Sequence, residues 1–111
     1  MGLTLVRAGE AESAIEWLDR AAELGPELPR LAYVLGVALN SGGDSDGAIQ
    51  ALNRSLVRHP YDPELLSLLA QLHRDRGERS AAVEYAQRLV AVRPDDRVAV
   101  QLLTELMRPG G

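Results

Sequence analysis

A period of 34 residues governs this chain. Gly9, Gly43 and Gly77 keep it, as do Pro26, Pro60 and Pro94, and Ala14, Ala48 and Ala82. Ile15, Ile49 and Val83 follow in step, then Leu18, Leu52 and Ala86. Four small or near-small residues, Gly2, Gly36, Ala70 and Thr104, hold the same register. A period between about 20 and 50 residues marks an array of supersecondary units, each of which buries its apolar face only against its neighbours.

Within each period the apolar residues recur at helical spacing. Leu31, Val34, Leu35, Ala38 and Leu39 lie three and four apart and predict one helix face. Asn40-Ser41-Gly42-Gly43-Asp44 breaks that helix, and Ser45 or Asp46 is expected to cap the next. Ala48, Ile49, Leu52, Ser55 and Leu56 form the second inner face. His59-Pro60 ends it, because a residue before proline is pushed out of the helical region. Pro63 fits the first turn of the following helix, where its missing N–H costs nothing. The same alternation runs through Leu65, Leu66, Leu68, Leu69 and Leu72, a turn at Arg76-Gly77-Glu78, and Ala82, Val83, Ala86, Leu89 and Val90. A last helix is expected from about Arg97 to Met107, with Arg108-Pro109-Gly110-Gly111 as a frayed tail. The fold class is all-α.

Composition removes several kinds of chemistry. With no cysteine among the 111 residues, disulfides, zinc–thiolate sites, iron–sulfur clusters and thiol catalysis are excluded. The net charge of −4 argues against nucleic acid, which calls for a basic stripe. All 12 basic residues are arginine, which reads as the codon bias of a GC-rich, bacterial genome. No apolar run reaches the ~18 residues of a membrane span. The opening Met1-Gly2-Leu3-Thr4-Leu5-Val6-Arg7 lacks the basic leader of a signal peptide and the Ser or Thr of a myristoylation site. A soluble, cytoplasmic protein is expected. The aromatic share of 4% leaves the core to Leu, Ala and Val, which suits closely packed helices.

Leu35-Gly36, Gly43, Ala48-Ile49 and Pro60 together resemble the tetratricopeptide repeat (TPR) pattern. So do Leu69-Ala70, Gly77, Ala82-Val83 and Pro94, and in the first period Met1-Gly2, Gly9, Ala14-Ile15, Ala21 and Pro26. The resemblance covers essentially the whole chain and implies one domain, a right-handed superhelical stack of antiparallel helix hairpins. Its parts would be an N-terminally truncated repeat at 1–28, full repeats at 29–62 and 63–96, a capping helix at 97–108 and a tail at 109–111. The chain departs from the pattern in places. The Trp typical near the repeat start is Ala32 and Leu66 here. The aromatic that often follows the Leu-Gly pair is replaced by Leu5, Leu39 and His73. The later small residue is Ala21 in the first repeat but Ser55 and Leu89 in the others, where looser packing is expected. Met1 stands in the middle of a first helix, so the chain is expected to be a fragment of a longer protein. Leu3, Leu5, Ile15 and Leu18 would then be partly uncovered. The helix from Arg97 resembles the family's solvating helix and reads as a natural C-terminus.

The resemblance further implies a non-catalytic protein-interaction module. First helices would line a concave groove that takes an extended peptide or a short helix. The groove residues would be Arg30, Tyr33, Val37 and Asn40 in the second repeat, and Glu64, Ser67, Gln71 and Arg74 in the third. Leu3, Val6 and Arg7 extend it on one side, Gln101 and Glu105 on the other. Tyr33 and Arg30 are the expected hot spots, since Tyr and Arg dominate interface energetics; Tyr33 could instead pack against the neighbouring hairpin. One subclass of the family grips C-terminal carboxylates with Lys and Asn. The matching positions here, Tyr33, Val37, Glu64, Ser67, Leu68 and Gln71, supply neither, and Glu64 would repel the charge. The alternative function is a C-terminal assembly or regulatory domain of a larger protein, acting through intramolecular packing or as a homodimer through the truncated first repeat.

No catalytic, cofactor or metal site is expected. His59 and His73 lack partners at triad or metal spacing. Asp44-Ser45-Asp46-Gly47 opens like a calcium loop, but Ala48-Ile49 and the missing closing Glu defeat it. Asp95-Asp96 reads as a favourable helix start. Arg74, Arg76 and Arg79 are interrupted by Asp75 and Glu78 and read as a solvated face rather than a phosphate site. Trp17 shares a column with Ala51 and Tyr85, at the helix edge away from the core. Packing against a neighbouring helix is expected for it, ahead of a second contact surface.

Overall fold

The structure, a computed structural model, describes the backbone of residues 2–25 and 27–108 and the side chains of 13–25 and 27–108. Met1, Pro26 and the tail at 109–111 lie outside the described residues, as do the side chains of Leu3, Leu5, Val6 and Arg7. Among the described residues the chain is all-α: α1 (Gly2–Leu24), α2 (Pro29–Ser41), α3 (Ser45–Arg58), α4 (Pro63–Asp75), α5 (Arg79–Val92) and α6 (Arg97–Met107). It divides into two compact units, Met1–Arg58 and His59–Gly111.

In the first unit α2 packs against both α1 and α3. Pro29 opens α2 at a position that has no intrahelical N–H partner to lose. Ala32, Leu35 and Gly36 form its buried face. Gly36 admits Leu52 of α3 at close range: a Cβ there would stand 3.0 Å from Leu52 Cγ. The α2–α3 turn depends on Gly43, at φ +89°, a conformation costly for any residue with a Cβ. The amide of Asp44 donates to the Leu39 carbonyl at 2.9 Å, and that of Gly43 to Asn40 at 3.0 Å. These are the paired bonds of a Schellman helix end. Asp44 then starts α3, its carboxylate accepting from the Gly47 amide at 2.8 Å. The cap is thus Asp44 rather than the expected Ser45 or Asp46, because α3 begins at Ser45 and both of those residues lie inside it.

The second unit repeats this design. Asp62 caps α4 by accepting from the Leu65 amide at 3.0 Å, with Pro63 in the first turn. Gly77, at φ +77°, makes the α4–α5 turn. The amides of Glu78 and Gly77 donate to His73 and Arg74 at 2.8 and 3.0 Å, the same Schellman pair 34 residues on. Asp96 caps α6 through the Val98 and Ala99 amides. Ala70, Ala82, Ala86, Leu102 and Leu106 form a buried cluster that joins α4, α5 and α6. Arg79 donates to the Leu106 and Arg108 carbonyls, satisfying the exposed end of α6. Of the three arginines expected on a solvated face, Arg79 therefore serves as a tether.

The first repeat departs from expectation. Instead of a short helix, a turn at Gly9 and a second helix, α1 runs unbroken through Gly9 for 23 residues. The residues after Gly9 account for it. After Gly9 come Glu10, Ala11 and Glu12, all good helix formers, where Gly43 is followed by the capping Asp44. Continuing the helix past Gly9 costs about 1 kcal/mol relative to Ala, less than opening two new helix ends.

Candidate protein-interaction surface

Burying Ala32, Leu35 and Gly36 turns the other side of α2 outward. Arg30, Val37 and Asn40 are exposed there, Tyr33 is half-buried, and Val34 between them is 41% exposed. Arg30, Tyr33, Val37 and Asn40 recur at three and four spacing, so they share one strip of this helix. The strip offers apolar contact from Val34, Val37 and the Tyr33 ring, with polar groups at both ends. In the second unit α4 presents Glu64, Ser67 and Gln71, all half-buried, and the exposed Arg74. Gln71 Nε2 donates to Ser67 Oγ at 3.1 Å, which fixes the amide and leaves its oxygen to accept. Arg74 Nε lies 3.4 Å from the neighbouring Asp75 carboxylate, an exposed contact worth little. Gln101, on α6, is exposed and donates to Glu105 at 3.4 Å.

Trp17 corrects an expectation. It is 67% exposed on α1 rather than packed on a neighbouring helix. Ala51 in the same column is 3% exposed, so the column is not uniformly an outer edge. Leu24, seven residues on from Trp17 and so on the same face, is 81% exposed. Ile15 and Leu18 are half-buried.

A further cluster in the second unit had no signature in the sequence. The His73 ring stacks on Tyr85 with centroids 5.4 Å apart and planes 11° from parallel. The Arg88 guanidinium lies 5.7 Å from the Tyr85 ring centroid and donates to the Pro60 carbonyl at 3.1 Å. Glu78 Oε1 lies 2.8 Å from His73 Nδ1 and 3.0 Å from Arg76 Nε. The hydrogen bond from His73 leads in holding the Glu78 carboxyl below its ordinary value, with the Arg76 charge adding to it. The fold of α5 against α4 brings Tyr85 and Arg88 to His73 across separations no short pattern records, while Arg76 and Glu78 lie within five residues of His73 in the chain. The cluster is a staple between α4 and α5, with its imidazole engaged on its face by Tyr85 and at Nδ1 by Glu78. No group of three His, Cys, Asp or Glu side chains among the described residues is placed to hold a metal ion. No described helix is long and apolar enough to cross a membrane.

Two tetratricopeptide-repeat family models match the chain, one over residues 1–63 and the other over 39–106. Among solved structures it is similar to the crystal structure of MamA protein, with a TM-score of 0.77 at 24% identity. That match covers 95% of this chain and 57% of the other, so the chain spans little more than half the length of that relative. At this identity the likeness is one of fold. No curated protein sequence matches.

Proposed function

Because the chain belongs to the tetratricopeptide repeat family, we propose that it is a non-catalytic module that binds a peptide or short helix through the outward strips of its first helices, the surface this family uses as a concave groove. The observation that carries this reading is the strip on α2. Its opposite face is fully used in the core, yet Val34 and Val37 remain 41% and 40% exposed beside Tyr33. Apolar surface next to an aromatic ring and an arginine is the composition of an interface centre. On α4 the oriented Gln71 amide supplies an acceptor for a backbone N–H, and Arg74 a donor for a carbonyl or carboxylate. Capture from a lysate of the source cells tests this, comparing the chain with a Tyr33→Ala, Gln71→Ala, Arg74→Glu variant that stays helical by circular dichroism. A partner held by the parent and lost by the variant supports the reading; the same proteins on both would defeat it.

A second reading, self-association, is favoured by the exposed apolar face of α1, where Trp17 and Leu24 stand 67% and 81% open. Sedimentation velocity across a concentration series tests it. A dimer that Trp17→Glu abolishes supports this reading, and a monomer at every concentration removes it.

A further inference from the structure

The first unit contains a crevice of about 160 Å³ between α1, α2 and α3, on a different side of α2 from the Tyr33 strip. Its floor is apolar, made by Ala22, Leu28, Ala32, Leu35 and Ala51, with Ser55 at one edge. Asp19 and Glu23 of α1 form one rim, Arg54 and Arg58 of α3 the other. Arg54 reaches Asp19 at 3.4 Å, while the exposed Arg58 lies in the last turn of α3.

The internal repeat shows where the space comes from. The positions 34 residues beyond Ala32, Ala51 and Ser55 are Leu66, Tyr85 and Leu89. Leu66 and Leu89 are buried, at 0% and 4% exposure, so α4 and α5 carry large apolar side chains at the positions where α2 and α3 carry Ala32 and Ser55. Ala32 also stands where the repeat pattern has a Trp. The missing volume is therefore that of large apolar side chains. An apolar cavity of about 150 Å³ is enough to take up benzene, and this one is open to solvent.

We infer that this crevice is an anchor pocket, into which a protein partner inserts one ring-bearing apolar side chain with an acidic group beside it. The apolar floor takes the ring. The rim is polarised, and the acid lies on the α3 side, where Arg58 can donate to its carboxylate in a charge-assisted pair. The acidic rim on α1 turns away the opposite orientation. A pocket of this kind, floored by small residues and walled by helices, holds a single anchor side chain well.

The test uses the full chain and two probes, N-acetyl-tryptophan and its uncharged amide, followed by methyl NMR. Saturable shifts at the Ala32, Ala51 and Leu35 methyls are expected, with a dissociation constant on the order of a millimolar. Several-fold weaker binding is expected for the amide. Ala32→Leu and Ser55→Leu copy the residues of the second unit and fill the space; both should abolish the shifts while keeping or raising the melting temperature. Arg58→Gln should make acid and amide bind alike. Tyr33→Ala should leave the titration unchanged, which separates this site from the proposed peptide strip. The inference is overturned if no saturable shift occurs at about ten times the expected constant, if both filling variants bind as the parent does, or if the amide binds as tightly as the acid.

Discussion

Gly36 and Leu52 in one unit, Ala70 and Ala86 in the other, occupy the same two columns of the repeat. The volumes are traded: no side chain against a large one in the first pair, two methyls in the second. Leu52 and Ala86 are each fully buried, so neither site has slack. Gly36→Ala gains about 1 kcal/mol of helix propensity but drives a methyl to 3.0 Å from Leu52, where overpacking costs about 1–3 kcal/mol. Leu52→Ala alone opens a cavity and costs about 2–5 kcal/mol. Together the two substitutions rebuild the Ala70–Ala86 arrangement. In urea denaturation the double variant should be more stable than the sum of the singles by about 1 kcal/mol or more; strict additivity would sink this account. At the same scale, Glu78 sets an acid-side dependence. Its carboxyl is held below the ordinary value of 4.5, chiefly by the hydrogen bond with His73. A depressed folded-state pKa contributes stability that is present above the unfolded value and lost as pH falls through the folded one. The stability gap between the parent and Glu78→Gln should therefore shrink as pH drops from about 6 to about 3. A gap that stays flat across that window would remove the His73–Glu78 pair from the account.

Elements with punctuation at both ends were legible in the sequence, and those without it were not. Pro63 and the Gly77 turn bracket α4; Asp96 and the Arg97–Met107 pattern define α6. The position of Gly9 in the 34-residue column predicted a turn, but a column records ancestry of the repeat, while the helix responds to what surrounds the glycine. The three glycines of that column should consequently respond in opposite directions to alanine. Gly9→Ala should stabilise by up to about 1 kcal/mol, since α1 is continuous there. Gly43→Ala and Gly77→Ala should each destabilise by about 1–2 kcal/mol, since both sit at positive φ. Thermal melts of the three variants decide it, and a loss at Gly9 equal to the other two would restore the turn. The cap of α3 was missed by one residue for a simpler reason: Asp44, Ser45 and Asp46 are all able to cap, and only the helix boundary selects among them.

For the whole molecule, the 34-residue period and the residue types that keep it, such as Leu35-Gly36, Gly43 and Ala48-Ile49, were enough to place the chain in its family. The interaction surface was less legible. On α2 the family resemblance named Arg30, Tyr33, Val37 and Asn40, while Val34, read from its spacing as part of the apolar face with Leu35, stands 41% exposed beside them. The Ser67–Gln71 hydrogen bond, the His73–Tyr85–Arg88 stack and the crevice beside Ala32 were not predictable, because each depends on which side chains meet in the folded chain. Even so, the crevice left a trace: three columns in which Ala, Ala and Ser face Leu, Tyr and Leu one period later. Comparing side-chain volume down each column, rather than residue class, would have exposed it.

The exposure of Trp17 has an optical consequence. It is the chain's single tryptophan, and it sits on α1 in a water-facing position, 67% exposed. Intrinsic indole emission therefore reports on one helix of the first unit. It should start red-shifted and open to collisional quenchers in the native state, and change little on unfolding. Ellipticity at 222 nm, which sums over every helix, is the signal that follows the cooperative loss of structure. A flat emission trace through a melt would thus record where the fluorophore stands, in a protein whose helices were coming apart.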